Sequence, residues 1–153
     1  MSAQFAPPPS SLDKLDAALK RLAERNGFLR LADEAALDAA LDADGLAVLL
    51  LTDDPQRSPE SLDVAVVLPE ALRALGVTAR GLAAGADLSP ALARRFGANR
   101  YPAVVVLRDG AYLGALTGIL DWSPFVTELA RICALAPGRP PISIATQATR
   151  SCA

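Results

Sequence analysis

An aromatic-proline pair, Tyr101-Pro102, opens a run of five apolar residues, Ala103 to Leu107. Arg108-Asp109-Gly110 interrupts it, and a second short apolar stretch, Ala111 to Gly114, follows. An X-Pro bend, an apolar run, an Asp-Gly turn and a second run read as an antiparallel hairpin. Pro102 has no N–H to give to a ladder, so it begins the strand or stands just outside it. Gly118 behind the hairpin, and a capped helix beginning near Asp121 or Ser123, give a β-β-α ending. What precedes that ending decides the fold.

At 153 residues the chain suits one domain with an ordinary core and no staples. Apolar residues are 52% of it but aromatics only 5%, so the core is expected to be Leu, Val and Ala. No apolar run approaches the roughly 20 residues that span a bilayer, and no basic stretch followed by an apolar one opens the chain. The expectation is a cytoplasmic protein without membrane insertion. Its two cysteines, Cys133 and Cys152, make no disulfide framework, and reduced thiols are the simpler reading.

Charge is more informative once mapped. Asp33, Glu34, Asp38, Asp42, Asp44, Asp53, Asp54, Glu60 and Asp63 face a single base, Arg57, within residues 33–63. That local balance of -8 leaves +6 on the rest of a chain whose net charge is -2. Such asymmetry speaks of partners rather than fold, and it argues against nucleic acid for the acidic third.

Residues 1–10, with Pro7-Pro8-Pro9, have no apolar periodicity and read as an irregular leader. Leu12, Leu15, Leu19 and Leu22 recur at the spacing of one helical face, with Ser10 or Ser11 as cap and Gly27 past the end. Phe28 to Leu31 is a short strand candidate. Asp33 caps a second helix carrying Leu37 and Leu41, closed by Gly45. Leu46 to Leu51 is continuously apolar, as for a strand buried on both faces of a largely parallel sheet. The polar loop Thr52 to Pro59 leaves its C-terminal end, where open α/β sheets usually bind ligands. A helix from about Ser61 to Leu75 is predicted to be interrupted or kinked at Pro69 and ended by Gly76. Arg80 to Ala84 is a weaker strand, and Ser89-Pro90 opens a short helix, as cap and first residue, that ends at Gly97. After the hairpin a last helix runs from about Ser123 to Leu135 with Phe125, Leu129, Ile132 and Cys133 near one face. From residue 137 a Pro-rich, then polar, tail is predicted to be mobile.

The order is α-β-α-β-α-β-α-β-β-α. It resembles, over residues 12–135, a thioredoxin-like domain: an α/β mixed sheet flanked by helices, with one extra N-terminal helix and a C-terminal hairpin plus helix. The expected domain is 11–136, between the leader and the tail at 137–153. On that plan Tyr101-Pro102 occupies the cis-proline position beside the loop after the second strand. Redox-active thioredoxins carry Cys-x-x-Cys in that loop, whose thiolate attacks a disulfide. Here residues 52–60 read Thr-Asp-Asp-Pro-Gln-Arg-Ser-Pro-Glu, without a cysteine. Cys133 reads as a small core residue and Cys152 as a tail thiol.

The chain has no histidine, which removes Ser-His and Cys-His pairs and the usual zinc sites. Gly76, Gly81 and Gly85 fit no phosphate-loop fingerprint. Asp53-Asp54 admits three readings: turn and cap residues, an acidic patch for a partner, or an acid-base or magnesium pair. Turn and cap residues are the simplest. Trp122 reads as a core or hairpin-packing residue rather than a ligand platform.

Leu49 to Glu60, the Arg95-Phe96-Gly97 to Tyr101-Pro102-Ala103 segment, and Gly110 to Gly114 with Gly118 to Trp122 downstream together resemble the HyaE/HupG/HoxO family of hydrogenase-expression accessory proteins. These are thioredoxin-like proteins without the redox cysteines. The resemblance implies a cytoplasmic, redox-inactive chaperone, not an enzyme and without cofactor or metal. It would engage the twin-arginine signal peptide or precursor of the [NiFe]-hydrogenase small subunit, and other hydrogenase accessory proteins are further candidate partners. The charge map is compatible with paired arginines. Exposed ion pairs contribute roughly 0.2–1 kcal/mol each, whereas micromolar binding needs about 8 kcal/mol. Burying roughly 300 Å² of apolar surface adds a gross term near 7 kcal/mol before association entropy. The expected peptide site is therefore an acidic rim of Asp53, Asp54, Glu60 and Asp63 beside an apolar groove at Tyr101 and Pro102. The competing readings are a thiol-dependent oxidoreductase using Cys133 and a structural scaffold subunit of a hydrogenase assembly complex.

Overall fold

The computed structural model describes residues 6–118, 120–138 and 140. Helix α1 (Ser11–Asn26) begins on a reciprocal cap: the Ser10 hydroxyl accepts from the Asp13 N–H, and the Asp13 carboxylate accepts from the Ser10 N–H, each at 3.1 Å. Two donors that the helix itself cannot pair are thereby satisfied. Leu15, Ala18, Leu19 and Leu22 form its buried stripe. Leu12, expected on that stripe, is half exposed because the first turn of α1 overhangs the sheet and meets the loop after the second strand instead.

Strand β1 (Leu29–Arg30) is short, and α2 (Glu34–Leu41) starts on the Asp33 carboxylate, which accepts from the Ala36 N–H at 2.8 Å. Gly45 does not close α2. The cap falls at Asp42, and the Arg80 guanidinium donates to the carbonyl of Ala40, one of the last acceptors the helix leaves open, and to that of Ala43 just past the cap.

Strand β2 (Leu46–Leu51) is buried at every residue. It lies between β3 (Arg80–Ala84), parallel to it, and β4 (Ala103–Arg108), antiparallel; β5 (Ala111–Thr117) completes a sheet ordered β1-β3-β2-β4-β5. Val48, Leu50, Val104 and Val106 face a core shared with α1, α3 (Glu60–Leu75) and α5 (Trp122–Cys133). Leu49, Leu51, Val105 and Leu107 face a second core with α2 and α4 (Ser89–Phe96). A strand with a core on each face needs apolar residues at every position, which is why β2 does not alternate.

Three further sequence expectations change. Helix α3 continues through Pro69 without interruption, since buried Val64, Leu68 and Leu72 hold it against the sheet on both sides of the proline. Ser89 is the first residue of α4 rather than its cap, with Leu88 in the cap position, because the Ser89 hydroxyl is turned inward. Trp122, expected in the core or against the hairpin, is 48% exposed at the start of α5 and is a member of neither core.

Asp109 and Gly110 turn the hairpin with φ of 52° and 80°, the left-handed pair that a two-residue connection requires. The Asp109 carboxylate accepts from the Gly45 N–H at 2.6 Å and the Asp109 N–H donates to the Gly45 carbonyl at 2.9 Å, so the tip is fastened to the entry of β2. A register shift between Val106 and Leu107 lets Leu113 reach the first core while Tyr112 stacks on Phe96 in the second, ring centres 6.3 Å apart. The Gly138 N–H donates to the Tyr112 carbonyl at 2.8 Å. Apart from residues 137, 138 and 140, the predicted tail, Cys152 included, lies outside the described residues, as do residues 1–5 of the leader. Among the described residues no helix is long and apolar enough to cross a membrane.

Candidate functional site

The register that pairs Leu51 with Ala103 carries Thr52 and Asp53 alongside Pro102 and Tyr101, whose peptide bond is cis. Strand β2 ends here, and its next backbone groups must find partners without a sheet. Side chains provide them. Buried Ser89 accepts from the Thr52 N–H at 3.0 Å, the Thr52 hydroxyl donates to the Ala84 carbonyl at 2.7 Å, and buried Ser61 accepts from the Asp53 N–H at 3.2 Å. The loop therefore leaves the sheet on a fixed footing.

Beyond it, Asp53 and Asp54 take different partners. The Asp53 carboxylate accepts from Arg57 Nη2 at 2.7 Å, from Arg57 Nε and Ser58 Oγ at 3.3 Å, and from the Asp54 N–H at 2.8 Å. The hydrogen bond from Arg57 leads the effects that hold its acidity below the usual carboxylate range. The Asp54 carboxylate accepts from the Ser11 hydroxyl at 2.5 Å and the Gln56 N–H at 2.9 Å, an Asx turn tied to α1, and Ser11 is the main cause of its lowered pKa. Both acids stay ionised near neutral pH. Glu60 and Asp63 stand in the first turn of α3, partly buried and exposed respectively, where the helix dipole favours carboxylates. Of the predicted rim, Asp53 and Tyr101 meet: burial first and the Asp53 charge second keep the Tyr101 hydroxyl protonated.

The nine acids do not form one patch. Glu34 and Asp38 on α2 share Arg95 of α4, at 3.7 and 2.8 Å, while Asp42 and Asp44 lie at the opposite end of β2 from the loop. On the hairpin side, Pro102 accepts from the Gly118 N–H at 2.8 Å, and the Arg100 guanidinium lies over Gly118. Leu120 and Trp122 follow, 40% and 48% exposed. Across the loop a cleft of about 480 Å³ lies between the start of α1 and the turn after β3, lined by Leu12, Asp54, Arg57 and Asp87 among others.

Cys133 sits at the other end of the sheet. Its carbonyl accepts from Arg108 at 2.5 Å, and Arg108 ends the strand that Ala103 begins, about 17 Å away at strand rise. The thiol is buried, and burial pushes its pKa up. Among the described residues no three Cys, Asp or Glu side chains gather as a metal site would need.

The sequence reading missed Ser11, Thr52, Arg57, Ser61 and Ser89. A signal existed for one of them, since Arg57 follows Asp53 by four residues; the serines gave none, being ordinary helix-start residues until the chain folds.

Residues 18–125 match the family described as Hydrogenase-1 expression protein HyaE. The chain belongs to the HyaE family. Hydrogenase expression/formation protein HoxO of Cupriavidus necator is 38% identical to this HyaE-family chain over 146 residues, covering 92% of it and 88% of HoxO. HupG of Bradyrhizobium diazoefficiens, named as a hydrogenase expression/formation protein too, is 41% identical over 96 residues, 63% of this chain and 65% of HupG. Among solved structures, a mutant thioredoxin from Halobacterium salinarum superposes with a TM-score of 0.56 at 18% identity, covering 71% of this chain and 93% of that one. Mitochondrial thioredoxin 3 from Saccharomyces cerevisiae gives 0.55 at 16%, with 69% and 92% covered. At those identities the likeness is one of fold, and it agrees with the thioredoxin-like architecture expected of a HyaE-family member.

Proposed function

We propose that this protein is a non-catalytic cytoplasmic chaperone of [NiFe]-hydrogenase maturation that holds the small-subunit precursor by its twin-arginine signal peptide. The reading rests on one observation above the rest. Where the fold would present a reactive thiol beside the cis-proline, the chain presents Asp53-Asp54-Pro55-Gln56-Arg57 on a loop fixed by buried hydroxyls, with Tyr101 next to it. The relatives' names, hydrogenase expression/formation proteins, supply the pathway.

The energetic division shifts from that expected. Arg57 already occupies Asp53 and Ser11 occupies Asp54, so an arginine of the peptide must compete for the first and share the second. Glu60 and Asp63 have no ion-pair partner within 4 Å among the described residues, and they carry the larger charge share. Apolar contact then supplies most of the affinity, through Tyr101, Leu120 and Trp122 at the same end of the sheet. The test is fluorescence anisotropy with a labelled signal peptide and a copy in which both arginines are glutamine. The arginine peptide should bind more tightly, and the difference should shrink as salt rises. Equal affinities would remove the acidic rim from the proposal; no binding of either peptide would remove the proposal.

The oxidoreductase reading loses ground through the placement of Cys133, buried and a strand's length from Tyr101. A scaffold role is separable, since a scaffold would hold accessory proteins and ignore the isolated peptide.

A further inference from the structure

The end of the molecule remote from Tyr101 carries a second feature that the peptide reading does not use. Helices α1 and α3 both start beside the loop and run away from it, so Arg25 lies about 21 Å along α1 from Ser11 at helical rise. Between their far halves is a groove of about 300 Å³, continuing through Arg25, Asn26, Pro69 and Arg73 into a neighbouring hollow of about 350 Å³. Its floor is apolar and small: Ala18 and Ala65 have no side chain long enough to fill it, and Pro69 brings no N–H to the Ala65 carbonyl. Its walls are Arg21, Arg25 and Arg73, with one acid, Glu70.

The arginines are not equivalent. Arg73 is engaged, donating to Glu70 at 2.6 Å and to Asn26 Oδ1 at 3.3 Å. Among the described residues neither Arg21 nor Arg25 has a carboxylate within 4 Å. Arg25 and Arg73 lie in the last turns of their helices, where the dipole favours cations in any protein. That account does not extend to Arg21, a turn earlier, nor to Val66, which stands 63% exposed at the groove.

We propose that this groove docks an acidic, partly apolar polypeptide segment of a second protein, carboxylates against Arg21 and Arg25 and an apolar side chain against Val66 and Pro69. Charge complementarity selects the occupant. Nucleic acid fits less well, because two unpaired arginines over an apolar floor form no track along a phosphate backbone, and the chain as a whole is acidic. The proposal stands whether or not the signal peptide binds at the other end, and together they would make the protein a two-ended adaptor.

The probe is a labelled peptide of interspersed glutamate and leucine, titrated against the full chain by anisotropy, with its glutamine/leucine counterpart and a single-stranded oligonucleotide as comparisons. The acidic peptide should bind, more weakly as salt rises, and the joint Arg21→Glu and Arg25→Glu variant should lose about tenfold or more in affinity. The milder Arg21→Gln and Arg25→Gln variant guards against loss of the helix and should show the same direction with an unchanged circular dichroism spectrum. Lys14→Glu with Lys20→Glu changes the same helix outside the groove and should leave affinity within about twofold. Equal binding of the glutamine peptide, tighter binding of the oligonucleotide, or equal losses in the lysine and arginine variants would each overturn the proposal.

Discussion

Thr52, Ser61 and Ser89 are buried hydroxyl residues, and each serves the point where β2 becomes loop. They are not interchangeable. Ser89→Ala leaves the Thr52 N–H buried without its acceptor, a loss of about 1–3 kcal/mol, whereas Thr52→Val keeps that N–H paired and leaves the Ala84 carbonyl with the Ser89 hydroxyl at 3.3 Å. Urea unfolding should therefore rank Ser89→Ala as the more destabilised; the reverse order would mean that the Thr52 hydroxyl, not the N–H acceptor, holds the loop. Cys133 gives a second residue-scale expectation. Burial raises its pKa, so in a Cys152→Ser protein the remaining thiol should react with iodoacetamide far more slowly when folded than in urea at neutral pH. Cys133→Ala should retain signal-peptide affinity, and loss of that affinity without loss of structure would bring the thiol back into the mechanism.

At the scale of elements, the pairing of Leu29 with Leu82 sets the ring of Phe28 beside Gly81, so close that a Cβ there would stand 2.3 Å from the ring. Gly81→Ala should cost about 1–3 kcal/mol through overpacking. Gly114→Ala should cost less, because its Cβ would meet the Ile132 γ2 methyl at 2.9 Å, a smaller overlap than that with the Phe28 ring. Phe28→Leu made on top of Gly81→Ala should cost less than Phe28→Leu alone; strictly additive losses would show that ring and glycine are not in contact. This edge of the sheet also shows what could be read beforehand. The period of Leu15, Leu19 and Leu22, the unbroken β2 and the Asp109-Gly110 turn are properties of neighbouring residues, and each became the element expected. The closure of α2 by Arg80, the inward turn of Ser89, and the pairing of Ser11 with Asp54 across 43 positions depend on where distant segments arrive. No local pattern encodes them. The site was legible to the same extent: loop and Tyr101-Pro102 came together because strand register brings them there, while the rim expected from charge counting lost two of its acids to internal partners.

Taken whole, the molecule has ionisable groups shifted at both ends of the pH scale and no histidine between them. Asp53, Asp54 and Glu128 have lowered pKa values, chiefly through hydrogen bonds from Arg57, Ser11 and Arg131. A carboxylate held below its unfolded value binds fewer protons in the folded state. Its stabilising contribution is therefore present above the unfolded pKa of about 4 and disappears as pH falls through the folded value. Cys133, Tyr101 and Tyr112 are shifted upward, each mainly by burial. Their contribution is complete below the unfolded values, about 8.5 for the thiol and about 10 for the phenols, and is lost as pH rises through the folded ones. Between these limbs no side chain has an ordinary pKa, since histidine alone titrates there unperturbed. The urea midpoint should accordingly be level from about pH 5 to 7.5, fall on the acid side through the carboxylates, and fall again above about pH 8.5, the second limb shrinking in Cys133→Ala. A step in the midpoint near pH 6 to 7 would overturn this account, since it would require a carboxylate lifted into a range that the lowered values of Asp53, Asp54 and Glu128 leave empty.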